Sequence, residues 1–304
     1  MTTAASVRRR IARTITTAAP EPGFAGPGHT AVFVVDPADF PSQDPFILLA
    51  DDRLDMAPGA PVGGEHPHAG FEIATFVLEG ALHDAAEGDL RAGDLLWTMA
   101  GRGIIHGEHV VPEGRTRILQ LWLTLPEAER WGDPGFETIT RAAAPVRLEP
   151  GVEARVYSSG PGEERAGRRN HVPVTLVDMK LEPGAVYEQE LPASYNGFVY
   201  VIDGAVRVGD GDGTILDAGQ VGWLDRPEPN GPSALRLVGG DSDGARLVLY
   251  AGEPQHVPIV MRGPFVGGSR DDLLRVSREF AAGRFVRMSA LIRGAAAGAS
   301  GRDQ

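Results

Sequence analysis

The stretch Phe76-Val77-Leu78-Glu79-Gly80-Ala81-Leu82, followed after a polar interval by Leu90-Arg91-Ala92-Gly93-Asp94-Leu95-Leu96-Trp97, has a second copy further along the chain. That copy runs Val199-Tyr200-Val201-Ile202-Asp203-Gly204-Ala205-Val206 and then Leu216-Asp217-Ala218-Gly219-Gln220-Val221-Gly222-Trp223. In each, an apolar strand meets an acidic-Gly turn, a second strand follows, and an Ala-Gly-polar turn leads into a strand that carries Trp. The paired glycines lie 124 and 126 positions apart, Gly80 to Gly204 and Gly93 to Gly219. A repeat of about half the chain is too long for one unit of a solenoid and suits two copies of one β-domain. Short strands evenly spaced between glycine turns describe an antiparallel barrel or sandwich.

The composition agrees with that picture. The chain has 304 residues, enough for two ordinary domains with a core each. Its 40 glycines and 24 prolines are scattered, which suits many short strands and tight turns better than long helices. No run approaches 18 uncharged apolar residues, so no membrane span is expected. The net charge of −12 disfavours direct nucleic-acid binding, because a compact acidic surface repels a phosphate backbone. There are no cysteines, so disulfides, thiolate metal sites and cysteine nucleophiles are excluded. With no apolar leader segment, a cytoplasmic location is the expectation.

The expected division is 1–150 and 151–304, with the boundary between Pro145 and Pro173 around Gly151 and the Ser158-Ser159-Gly160-Pro161-Gly162 turn. The basic run Val7-Arg8-Arg9-Arg10-Ile11-Ala12-Arg13 reads as a first edge strand rather than a targeting arm. Near the other end, Ser269-Arg270-Asp271-Asp272 is a capping box that opens a helix. Leu273, Leu274, Val276 and Phe280 supply its apolar stripe, Gly283 ends it, and Gly294 to Gln304 read as a disordered tail.

The chemistry concentrates in the first copy. Glu65-His66-Pro67-His68-Ala69-Gly70-Phe71-Glu72 holds a His-x-His pair, and on an extended segment both imidazoles project to one side. About 40 residues later, Gly101-Arg102-Gly103-Ile104-Ile105-His106-Gly107-Glu108 repeats the spacing with His106 and Glu108. Two such strands facing one another would place three imidazoles and a carboxylate around one ion. That donor set suits Fe, Mn, Ni, Cu or Zn and is too rich in nitrogen for Ca or Mg. On an octahedral ion it leaves two positions for guests; a closed tetrahedral zinc is the structural alternative. Glu72 competes as a fourth ligand or stands behind the site as a partner. His83, His109, His171 and His256 lack a matched partner and read as surface or loop residues; His29 is assigned no role. Adding the two offsets places Glu190, Pro192, Pro232 and Ala234 at the corresponding positions of the second copy. No ligand set survives there, and that domain reads as structural.

These residues resemble the pirin family of bicupins. The resemblance rests on Asp44-Pro45-Phe46-Ile47-Leu48-Leu49, His66-Pro67-His68-x-Gly70-Phe71-Glu72 and Ala100-Gly101-Arg102-Gly103-Ile104-Ile105-His106-x-Glu108. Leu119-Gln120-Leu121-Trp122 and Gly263-Pro264-Phe265-Val266 extend it almost to the end of the chain. It implies an all-β fold of two cupin (double-stranded β-helix, jelly-roll) barrels in tandem with a C-terminal helix. It also implies metal ligands at His66, His68, His106 and Glu108, usually filled by iron. The sequence departs from the family pattern at Ala69, Ile73 and Gly107, where members typically carry Arg, Thr and Ser. The segment from His83 to Arg91 is also short. These changes spare the ligands and fall at the pocket mouth and behind the site.

Some pirins resemble quercetin 2,3-dioxygenases, which open a flavonol ring with dioxygen and release carbon monoxide. That resemblance implies a small-molecule substrate, O2 as co-substrate, and Glu108 as both ligand and general base. Other pirins resemble transcription cofactors whose iron oxidation state alters a surface for a protein partner, which implies regulation without turnover. A sugar-isomerase-like or storage cupin is the third option.

Overall fold

The computed structural model describes residues 7–84, 88–111, 115–159, 171–228 and 231–291. The tail from Gly294 and residues 160–170 of the expected boundary region lie outside the described residues. The described chain is dominated by strands, with one helix of twelve residues, Arg270–Ala281. The all-β expectation holds: strands form two separate compact units, each with its own curled sheet system and core.

The units are not the halves 1–150 and 151–304. One comprises Ala19–Ala38, Phe46–Arg141 and Gln255–Gln304; the other comprises Met1–Ala18, Asp39–Pro45 and Ala142–Pro254. The physical reason is edge pairing. A strand at a sheet edge leaves a row of backbone groups unpaired until another segment covers it. Val7–Arg8 pairs in parallel with Pro232–Gly239, and Ile11–Thr16 pairs antiparallel with Gln220–Leu224. The edge-strand reading of the basic run is therefore right, but its sheet belongs to the second copy. Likewise Val286–Arg287 pairs with Ile104–Val110, so the C-terminal helix and the strand after it belong with the first copy.

In the first unit, seven strands run in the order Gly135–Ile139, Leu95–Met99, Phe71–Glu79, Thr116–Thr124, Phe46–Leu54, His29–Val35, Glu21–Pro22. A five-stranded sheet contains Pro61–His68 beside Ile104–Val110, then Ala81–Asp84 and Gly88–Arg91. Leu54, Val77, Leu96 and Ile118 from the larger sheet pack with Val62, Leu82, Ile104 and Val110 from the smaller one. Apolar residues on facing strands thus close a jelly-roll core between the two sheets.

The repeat seen in the sequence is a repeat of hydrogen bonds. Gly93 donates its N–H to the Val77 carbonyl at 2.8 Å, and Gly219 donates to Val201 at 2.9 Å. Ala92 donates to Gly80 at 3.0 Å, and Ala218 to Gly204 at 2.9 Å. Gly80 and Gly204 have φ of +73° and +69°, and Gly93 and Gly219 have +91° and +79°, a left-handed conformation that excludes most side chains. The two turns are built alike, which is why the glycines recur.

The constant offset does not hold at the ligand positions. In the second unit Glu190 is exposed, while Tyr187, Gln189 and Leu191 face inward opposite Leu237, Leu235 and Ser233. A slip of one residue moves a strand's whole set of side chains to the other face. The corrected positions still carry no metal-ligand set; Tyr187, Leu191, Leu235 and Leu237 join a packed apolar core instead.

The helix begins as expected. The Ser269 hydroxyl accepts the Asp272 N–H at 3.2 Å, and the Asp272 carboxylate accepts the Ser269 N–H at 3.0 Å. Leu273 and Val276 are buried, with Ala69, Phe265 and Phe285 around them. Leu274 and Phe280 are more exposed than the expected stripe requires, at 41% and 39%.

Candidate metal centre

Strand pairing brings the two histidine motifs together. His66 is the register partner of His106, and His68 the partner of Ile104. Along Ile104–Val110 the alternate residues Ile104, His106, Glu108 and Val110 are all buried, so the period-two argument holds for His106 and Glu108. On the opposite strand the pairing jumps from His66 to Val62, leaving Gly63, Gly64 and Glu65 in a bulge. Gly63 and Gly64 have φ of +71° and +69°, angles that glycine reaches at little cost.

The end of the ligand strand is pinned from behind. Ala69 donates to the Pro264 carbonyl at 3.3 Å and accepts the Val266 N–H at 3.0 Å; Gly70 donates to Gly101 at 2.8 Å. The segment Gly263-Pro264-Phe265-Val266, singled out in the sequence, thereby fixes the residue next to His68, with the helix packed over it.

The three imidazoles converge. Ring centroids of His66, His68 and His106 lie 4.5 to 5.1 Å apart, and one ligand nitrogen from each falls within 4.8 Å of the others. His66 Nδ1 stands 2.8 Å from the Gly64 carbonyl, which can only accept. The ring proton is therefore on Nδ1, and Nε2 keeps its lone pair for the cluster. His68 packs edge-on against Phe71 and Trp122, each with centroids 5.5 Å away.

Glu108 is buried beside this cluster. Its carboxylate lies 3.9 Å from His106 Nδ1, and Asp84, the register partner of Glu108, lies 3.8 Å from the same nitrogen. Glu72 is buried on the following strand, Phe71–Glu79, and is not one of the three clustered ligands.

The electrostatics suit a cation. Burial holds His68 well below the usual histidine value, helped by His106 and His66; His66 is lowered by burial and by His106. Burial works against protonation of His106 too, but the Glu108 and Asp84 carboxylates overcome it and raise that ring. Glu108 is raised, first by burial and then by the nearby Asp84 and Asp52 charges, against the pull of His106. Among the described residues, both ring nitrogens of His68, both of His106 and Oε1 of Glu108 are buried without a hydrogen-bond partner. Stranding that many polar atoms would cost several kcal/mol. A transition-metal ion held by one nitrogen of each ring would answer part of that deficit, and the nitrogen-rich donor set fits one.

A cavity of about 640 Å³ opens on His66 and His68. Phe24, Phe33, Leu48 and Trp122 give it apolar walls, and His29 and Asp52 stand in its lining. Sequence reasoning passed over His29, which is 2% exposed and lies 2.8 Å from Asp52 through Nε2. A signal existed: Asp51 and Asp52 interrupt the apolar strand Phe46–Leu54, and buried carboxylates need partners. Asp51 takes Arg117, at 2.6 and 2.8 Å; Asp52 takes His29. His83, half exposed, pairs with Asp89 at 2.9 Å, away from the cluster, as a surface residue should.

Comparison with known proteins agrees with this geometry. Residues 34–123 match the pirin family model, and residues 176–286 match the model of the pirin C-terminal cupin domain. Pirin-1 of Arabidopsis thaliana is 33% identical, over 76% of this chain and 79% of its own length. A Pseudomonas aeruginosa relative, provisionally named a quercetin 2,3-dioxygenase, is 33% identical over 74% of this chain and 79% of its own. The solved quercetin 2,3-dioxygenase of Acinetobacter baumannii superposes with a TM-score of 0.79 at 23% identity, covering 92% of this chain and 99% of that one. None of the described helices is long and apolar enough to cross a membrane.

Proposed function

The chain belongs to the pirin family of bicupins, and on that premise we propose that it is an iron-dependent dioxygenase acting on a flavonol-like or other small enolic aromatic substrate. The observation that carries this is the juxtaposition of orphaned buried ligand atoms with an apolar cavity of about 640 Å³ that reaches them. The name of the Pseudomonas aeruginosa relative supports the same class of chemistry.

His66, His68, His106 and Glu108 would hold the ion. Bound there, iron supplies Lewis acidity toward an acidic hydroxyl and the one-electron chemistry that dioxygen requires. The protein's own contribution is orientation and proton handling. The Gly64 carbonyl fixes His66, and Trp122 and Phe71 wedge His68, so the nitrogens are presented without reorganisation. Glu108, the carboxylate of the set, would also accept the proton of a substrate hydroxyl brought to the ion. The apolar walls keep water from the reacting ring.

The test is anaerobic iron loading followed by quercetin and oxygen. Loss of flavonol absorbance with release of carbon monoxide is expected. Decay no faster than the metal-free blank would sink the activity, and retained iron without turnover would favour a regulatory role through a protein partner.

A further inference from the structure

The cavity holds a second polar point besides the metal ligands. Asp52 is 5% exposed, and its Oδ1 lies 2.8 Å from His29 Nε2. The Ala25 N–H donates to His29 Nδ1 at 3.1 Å, so the ring's proton sits on Nε2 and is given to Asp52. Both nitrogens of His29 are thus used up. Asp52 keeps one oxygen, Oδ2, to which the described residues bring no hydrogen-bond donor. A carboxylate in an apolar wall is costly until a donor meets it.

Around it the cavity is aromatic. Phe24 is 66% exposed and Phe33 53% exposed, although both line the cavity, and Trp122 lies deeper against His68. Large aromatic side chains left in water at a cavity wall favour a flat apolar guest. The charge of Asp52 repels an anionic guest and rewards a neutral O–H donor.

We infer that Asp52, oriented by His29, is a specificity determinant that accepts a hydrogen bond from a hydroxyl of a planar polyphenol, at a position separate from the hydroxyl that meets the metal. The inference rests on the activity proposed above for its choice of probe. His29 is a positioning residue: both its nitrogens are engaged by Ala25 and Asp52, so it acts through Asp52.

The test is an anaerobic titration of iron-loaded protein, read by tryptophan fluorescence, with quercetin and with 3-hydroxyflavone, which lacks all but the reacting hydroxyl. Iron content and melting temperature of each variant establish that the fold is intact. Wild type is expected to bind quercetin at least about tenfold more tightly, the scale of one charge-assisted hydrogen bond. Asp52→Leu should reduce that ratio to near unity, with Asp52→Asn between. His29→Phe should lower the ratio without lowering iron content, because the carboxylate loses its orientation and not its charge. Equal affinities in wild type, binding of neither probe, or an undiminished ratio in Asp52→Leu would overturn the inference. A tenfold ratio that Asp52→Leu abolishes, in a protein that never consumes quercetin, would refute the dioxygenase and leave the role of Asp52 standing.

Discussion

His66 and His106 are register partners across an antiparallel pair, and their ring centroids sit 4.5 Å apart with no hydrogen bond between them. Two imidazoles confronted in this way inside a barrel repel one another when protonated, and His106 adds to the burial that lowers the pKa of His66. A shared positive ion reverses the sign of the interaction.

Protein purified without chelators should therefore carry near-stoichiometric iron or manganese by elemental analysis, and His66→Ala and His106→Ala should each lose it. A ligand that binds only the native state stabilises it by about 2.7 kcal/mol at a hundredfold excess over Kd. Added Fe2+ should raise the melting temperature of stripped wild type and leave both variants where they were. Variants that keep the metal would show that the cluster is not its site.

Gly70 offers a test of how tightly the ligand strand is held. Its φ is +88°, and a Cβ there would overlap the Val266 carbonyl oxygen. A Cβ on Gly64, at φ +69°, would meet nothing within 4 Å. Gly64→Ala should cost only the left-handed backbone penalty, about 1–2 kcal/mol. Gly70→Ala should cost more by denaturant unfolding and should also weaken metal binding, since the displaced segment adjoins His68. Equal costs would mean that the contact with Val266 yields freely.

These residues mark where the sequence was readable. The convergence of His66, His68 and His106, with Glu108 3.9 Å from His106, follows from period-two spacing, which is local to each strand. The Ser269–Asp272 capping box is local in the same way. What joins Asp52 to His29 is the pairing of His29–Val35 with Phe46–Leu54, a contact across 23 positions with no motif at either end. The partners of the strands Val7–Arg8 and Val286–Arg287 were illegible for the same reason. Which open edge a short strand covers depends on the finished sheets, and Val7-Arg8 carries nothing that names Ser233-Ala234 as its partner.

Arg9 shows how firmly the N-terminal segment is tied into the second unit. Its guanidinium, 1% exposed with its residue, donates to the carbonyls of Tyr195 at 3.1 Å, Pro192 at 3.2 Å and Asp225, and its Nε lies 3.4 Å from the Asp225 carboxylate. Burial lowers its pKa, against the support of Asp225. Arg9→Met fills much of the space but takes the guanidinium donors from the carbonyls of Tyr195, Pro192 and Asp225, while the Asp225 carboxylate keeps the Arg10 N–H, a loss of about 3 kcal/mol. Arg10, whose side chain is 82% exposed, also reaches Asp225, at 3.2 Å, yet Arg10→Met should cost under about 1 kcal/mol. Urea unfolding of the two variants checks the contrast, and similar midpoints would contradict it.

Asp272 gives the chain a stability term that acid removes. Partial burial pushes its carboxyl up, but the Ser269 hydroxyl, the N–H groups of Gly268 and Ser269, and Arg275 together pull it below the usual value of 3.8. A carboxyl with a lowered folded pKa stabilises the native state above its unfolded value, and that contribution fades as pH falls through the folded one. Replacing Asp272 by Ala removes half of the capping box and should cost about 1 kcal/mol at neutral pH. The difference between wild type and Asp272→Ala, read from urea midpoints, should stay level from about pH 7 to pH 5 and shrink below about pH 4, where the unfolded carboxyl takes up its proton. A difference that grows on acidification would mean that the carboxylate destabilises the helix start, and the capping assignment would fall with it.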